Sequence, residues 1–128
     1  MSTARAFRER SASITAFVRA LSAGDVEAAT RCFAEAAHIM TLRYAAGRLV
    51  GGETIAVGRE AIGAWLSGMV ERRTRLYVVS MSEEGESIVV QSRWSLDGFH
   101  GERLHETVVA KYEIGEEGIR RLSATAHE

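Results

Sequence analysis

The hydrophobic period changes halfway along this chain, and that change limits the possible folds more than any other feature. Ile14, Phe17, Val18 and Leu21 recur at helical spacing, which predicts a helix from about residue 5 to 22. Ala23 and Gly24 end it, and Asp25 is placed to accept the first amide hydrogens of a second helix. Val26, Ala29, Phe33 and Ala36 share a face of that helix, with Cys32 beside it as a small core residue. A third helix opens near Gly58 and carries the stripe Ile62, Trp65, Leu66 and Met69. Residues 37–44 read as a strand between the second and third helices. Beyond residue 73 the helical period disappears. Residues 74–82, 86–98, 103–114 and 119–127 are rich in Val, Ile, Tyr, Thr and Trp and are separated by short glycine-containing turns, the pattern of an antiparallel meander. Helices segregated from a mostly antiparallel sheet predict an α+β fold.

Residues 45–57 (AAGRLVGGETIAV) are the longest stretch without a clear period. Their glycines invite a phosphate-loop reading, but the terminal Gly-Lys-Ser/Thr is missing. The expectation is a mobile lid over a pocket.

With 128 residues, 46% of them hydrophobic and 26% charged, the chain suits one globular domain spanning residues 1–128. Its 16 basic and 17 acidic residues nearly cancel, which argues against a general grip on nucleic acid. Arg72, Arg73 and Arg75 form the tightest basic run, where the third helix should end and positive charge suits the helix dipole. Cys32 is the only cysteine, so an intramolecular disulfide and a multi-thiolate zinc cage are excluded. No histidine pair has helical ligand spacing, and no metal or cofactor is expected. The segment MSTARAFRER lacks the apolar stretch of a signal peptide, and nowhere do about 18 apolar residues run together. The expectation is a cytoplasmic protein without a membrane span.

The central hairpin tells which side chains share a face. A three-residue loop at Phe99-His100-Gly101, with Gly101 left-handed, would set Leu96 opposite Leu104, Trp94 opposite Glu106, Ser92 opposite Val108, Val90 opposite Ala110 and Ile88 opposite Tyr112. The other face carries Asp97 with Arg103, Ser95 with His105, Arg93 with Thr107 and Gln91 with Val109. One face is mainly apolar and the other mainly polar, as a half-buried sheet requires. Glu106 is the exception, a carboxylate on the apolar face.

The order helix, helix, strand, helix, meander resembles the nuclear transport factor 2-like, or SnoaL-like, superfamily. The matching words are Ala-Gly-Asp-Val-Glu-Ala-Ala at 23–29, Cys-Phe-Ala-Glu-Ala-Ala at 32–37, Gly-Arg-Glu-Ala-Ile at 58–62 and Gly-Glu-Glu-Gly-Ile at 115–119. The resemblance implies a cone, its curved sheet and helices enclosing an apolar pocket, and commonly a homodimer built through the sheet. It leaves function open, because the fold hosts isomerases, cyclases, dehydratases, epoxide hydrolases and non-catalytic modules.

Carried over residue by residue, the catalytic groups of these relatives are missing. The tyrosine donor of the ketosteroid isomerases aligns with Phe17, which has no hydroxyl to bind an oxyanion. Their general base aligns with Thr41, which takes up no proton near neutral pH. Their protonated aspartate, and the catalytic aspartate of SnoaL-type cyclases, align close to Ala110. The aspartate-arginine-aspartate relay of the epoxide hydrolases has no counterpart, since the only aspartates are Asp25 and Asp97.

Glu106 is the remaining acid/base candidate. In a dry wall against Trp94 its carboxyl would be expected above the ordinary glutamate value, as a proton-transfer group needs. The plainer alternative is a solvated or arginine-paired carboxylate at the rim. His127 falls opposite Glu106 if Gly115-Glu116-Glu117-Gly118 is a four-residue loop. A one-residue slip turns it to the other face and sends Leu122, Ala124 and Ala126 inward. Phe17, Thr41, Tyr44, Trp65, Met69, Trp94, Ala110 and Tyr112 are expected to line the pocket. The resulting expectation is a domain binding a small apolar or aromatic ligand, either a cofactor-independent isomerase, cyclase or dehydratase or a non-catalytic ligand-binding or dimerisation module. The expected dimer face is the outer sheet around Gln91, Arg93, Thr107 and Val109.

Overall fold

A computed structural model describes residues 3–45 and 48–127. Helix α1 spans Thr3–Ser22, α2 Val26–Arg31 and α3 Arg59–Glu71. The strands are β1 Phe33–Ala45, β2 Arg48–Val57, β3 Arg75–Glu84, β4 Ser87–Asp97, β5 Arg103–Gly115 and β6 Gly118–His127. They form one sheet in the order β2-β1-β6-β5-β4-β3. Every neighbouring pair is antiparallel except β1 with β6, which is parallel. The fold is α+β, with three helices on a curled, unclosed sheet.

The helical stripes become the roof of the core. Ile14, Phe17 and Leu21 of α1, Ala29 of α2, and Ile62, Leu66 and Met69 of α3 are all buried. They meet Ile39, Ile88, Val90, Val108, Ala110, Tyr112 and Leu122 from the concave face of the sheet. Phe17 stands edge-on to Phe33, ring centres 5.1 Å apart, and tilted against Tyr112 at 6.4 Å, both favourable aromatic geometries.

The second helix is shorter than its apolar spacing predicts. Asp25 caps it through Ala28 N–H (3.0 Å), as expected, but it ends at Arg31, and Phe33 and Ala36 belong to β1. The cause is long-range. Ile119 N–H donates to the Cys32 carbonyl (2.9 Å), and Phe33 pairs with Ile119 in the parallel ladder. At Gly118 (φ +116°) a Cβ would stand 2.5 Å from that carbonyl oxygen, so only glycine lets the strands approach. Cys32 packs at the helix end, its thiol donating to the Ala28 carbonyl (3.4 Å), and burial pushes that thiol up, away from nucleophile behaviour.

The expected lid is instead a strand. Residues 48–57 pair with β1 from His38↔Val57 to Ala45↔Arg48, with irregularities after Ile39 and Arg43. Glycine is useful there for close approach, because the Leu42 side chain crowds Gly52 and the Arg43 guanidinium crowds Gly51.

The basic run after α3 does more than face a helix dipole. Arg73, left-handed at φ 51°, holds Asp97 by two hydrogen bonds (2.6 and 2.9 Å), and Arg103 adds a third (3.1 Å). Arg72 donates to the Asp97 carbonyl (2.9 Å) and lies over the Phe99 ring at 4.8 Å. The guanidiniums hold the Asp97 carboxyl down at about 2. This cluster ties the end of α3 to the β4–β5 hairpin. Arg75 in turn donates to the Ser22 carbonyl, joining β3 to the end of α1.

Candidate functional site

The β4–β5 register builds one wall of the site. Every expected pair is present, from Ser87↔Glu113 through Trp94↔Glu106 to Asp97↔Arg103. Gly98 N–H donates to the Glu102 carbonyl (2.8 Å) and Gly101 is left-handed at φ 83°, closing the three-residue loop.

The last strand supplies the floor. Gly115 pairs with Gly118, so the ladder begins in the register that would set His127 opposite Glu106, but an extra residue at Arg120 slips it by one. Beyond it Tyr112 faces Leu122, Ala110 faces Ala124 and Val108 faces Ala126. Along the backbone His127 therefore pairs with Thr107 and not with Glu106. The side chains of His127 and Tyr44 lie outside the described residues; along the backbone Tyr44 pairs with Leu49.

A cavity of about 680 Å³ opens between this sheet and α3, within the size range of small-molecule sites. Ile39, Thr41, Leu122 and Ala124 line it from the middle of the sheet, Trp94, Leu96 and Val108 from the hairpin, Trp65 and Met69 from α3, and Ile55 from β2. Met40, Leu42 and Thr125 complete the wall with two ionisable side chains, Arg43 and Glu106. Both of these are exposed, whereas Ile39, Met69, Trp94, Val108 and Leu122 are buried.

Four of the expected pocket residues, Thr41, Trp65, Met69 and Trp94, meet here. Phe17, Ala110 and Tyr112 belong to the buried core and not to the cavity lining. Of the three positions expected to align with the relatives' catalytic groups, Phe17 and Ala110 thus lie in the core and Thr41 lines the cavity. Burial pushes the Tyr112 phenol up, so it stays protonated across the physiological range.

Glu106 lines the cavity but does not sit in a dry wall, because it is exposed. Its neighbour Trp94 turns its polar edge elsewhere. The indole Nε1–H donates to Ser92 Oγ (2.9 Å), and the Ser92 hydroxyl donates to the Val108 carbonyl (3.2 Å). Ser92 is 2% exposed, so the sequence left unread a buried hydroxyl that orients the indole. Its position opposite Val108 on the apolar face was the available signal. Arg43 was also missed as a lining residue, because the strand assigned to 37–44 gave no reason to treat its last cation as special.

Among the described residues no group of three or more His, Cys, Asp or Glu side chains could hold a metal ion, and no helix is long and apolar enough to cross a membrane.

Several solved structures share this architecture. The epoxide hydrolase/cyclase-like enzyme SalBIII, of pyran ring formation in the polyether salinomycin, superposes with a TM-score of 0.77 at 18% identity, covering 94% of this chain and 92% of that one. A protein from a soil-derived mobile gene cassette gives 0.76 at 17% identity, covering 94% and 91%. A Mycobacterium tuberculosis protein in complex with estradiol-17beta-hemisuccinate gives 0.73 at 16% identity, covering 90% and 91%. At these identities the likeness is one of fold. No curated protein matches the sequence at a significant level. The sequence pattern of the SnoaL-like domain matches residues 14–122, most of the chain, and the protein belongs to the SnoaL-like family.

Proposed function

We propose that this protein binds a small apolar or aromatic molecule in the cone. The observation that carries the reading is the distribution of polarity: the cavity's ionisable side chains, Arg43 and Glu106, are both exposed, and the buried side chains around it are apolar. Such a site takes up an apolar body by desolvation and leaves the charged groups to orient it. Among fold neighbours, one is described in complex with estradiol-17beta-hemisuccinate, a ligand of this general kind.

Cofactor-independent isomerase, cyclase or dehydratase chemistry is the second reading. It is favoured by one observation, that Glu106 lines the cavity and forms no ion pair among the described residues. A carboxylate so placed is available to move a proton at the mouth. The missing hydroxyl at Phe17 and the methyl group at Ala110 favour binding without turnover.

The experiment is a thermal-melt screen of apolar and aromatic compounds, each hit then followed by NMR in deuterated buffer. A ligand of the folded state raises the melting temperature with concentration. The binding reading expects hits whose spectra stay unchanged. Proton exchange or conversion that Glu106→Gln abolishes while binding persists would move the assignment to the enzyme. A screen without hits contradicts both.

The assembly we propose is a homodimer through the outer sheet face. Gln91, Arg93, Thr107 and Val109 lie there, and Tyr77, paired with Arg93, is 75% exposed. An exposed aromatic on a broad face of mixed polarity suits a subunit contact. Light scattering should give twice the chain mass at micromolar concentration, and Tyr77→Glu should halve it.

A further inference from the structure

We infer that the ligand of this cavity is an acid, with its apolar body in the cone and its carboxylate held by Arg43. The inference rests on the cavity being a ligand site. It begins with β1, where Ile39 and Thr41 pair with Leu122 and Ala124 of β6 and line the cavity with them. Arg43 is the next residue on that face and lines the cavity too.

Its guanidinium lies against Gly51, the residue opposite on β2. A Cβ at Gly51 would stand 3.2 Å from Nη2 and 3.8 Å from Nε. Gly51 is not among the positive-φ glycines, so the backbone there does not require it. A glycine inside a strand weakens it, and commonly marks a place where another group comes close. Here that group is the guanidinium, which a Cβ at 51 would press aside by a few tenths of an ångström.

Several other cations among the described residues are occupied. Arg73 and Arg103 hold Asp97, Arg10 holds Glu83, and Arg59 donates to the Phe33 carbonyl. Arg43 makes no hydrogen bond or ion pair among the described residues, although Glu53 lies one pleat away opposite Thr41. A free planar fork of donors beside an apolar cavity matches a carboxylate in two-point contact. Glu106 lines the same cavity from β5, with β6 between it and β1. It repels a second anion and so confines the acid group to the β1–β2 side of the mouth.

The test uses a matched pair, decanoic acid and decanol, each displacing a neutral solvatochromic fluorophore at neutral pH. The parent should bind the acid about tenfold more tightly than the alcohol, the scale of one charge-assisted two-point contact. Arg43→Gln should remove that preference by weakening the acid much more than decanol, and Arg43→Lys should keep part of it. A parent that binds both compounds equally, or an Arg43→Gln protein that still prefers the acid, overturns the inference while leaving the cavity as a binding site. Failure of the fluorophore and both compounds to bind overturns the cavity reading and the inference together.

Discussion

Trp94 stands directly across the β4–β5 ladder from Glu106, yet its indole N–H is committed to Ser92 two residues away on its own strand. The indole therefore offers Glu106 a neighbouring apolar surface and no hydrogen bond from Nε1. Two side chains that the sequence paired as a wall and an acid have separate jobs, one packing the cavity and the other facing water at its edge.

That arrangement makes Ser92 a structural residue of the site. Ser92→Ala removes the acceptor for a largely buried indole N–H, and should destabilise the protein by about 1–3 kcal/mol in urea denaturation. In the Trp94→Phe background, which has no N–H to leave unpaired, the same change should cost less. An equal cost in both backgrounds would mean that the Ser92–Val108 bond carries the effect alone.

Phe17, where the resemblance to ketosteroid isomerases implied a tyrosine, packs edge-on to Phe33 in a closed core. Phe17→Tyr should therefore destabilise the fold by about 1–3 kcal/mol, through overpacking and an added buried hydroxyl. Equilibrium unfolding checks this. A tyrosine variant as stable as the parent would reveal unused space and a partner for the hydroxyl.

The Asp97 cluster predicts an acid-sensitive contribution to stability. Its folded carboxyl is held at about 2, against about 3.9 for a free aspartate. As pH falls, the unfolded chain takes up the proton first. The contribution is present above about pH 4 and is lost as pH falls through about 2. Melting temperatures of the parent and Asp97→Asn should thus differ most at pH 5 and above, and converge towards pH 2. A gap that stays constant across this range would show that charge is not the source of the stabilisation.

The parts of this architecture that were legible in the sequence are those fixed by local chemistry. The loop at Phe99-His100-Gly101 set the β4–β5 register, and alternation then placed Trp94, Val108 and Ala110 on the concave face. What escaped was decided at long range. Phe33 satisfies helical spacing from Ala29 and strand alternation equally well, and only its pairing with Ile119 settles the choice. Gly51 and Gly52 look like loop residues until the side chains of Arg43 and Leu42 are seen against them. For Glu106, alternation gave the face but not the depth. Depth along a strand depends on how far the helices cover it, and no local pattern reports that. The position of His127 turned on the one extra residue at Arg120.

The central claim, a ligand cavity in the cone, has a built-in reporter. Trp65 and Trp94 are the chain's only two tryptophans, and both line the cavity. Titration with a neutral naphthalene fluorophore, read as energy transfer from tryptophan, should give saturable single-site binding. Ala124 lies on the cavity floor, and Ala124→Phe should weaken that binding by about tenfold or more while the protein still unfolds cooperatively. Transfer that never saturates, or that is indifferent to Ala124→Phe in a folded protein, would contradict the account.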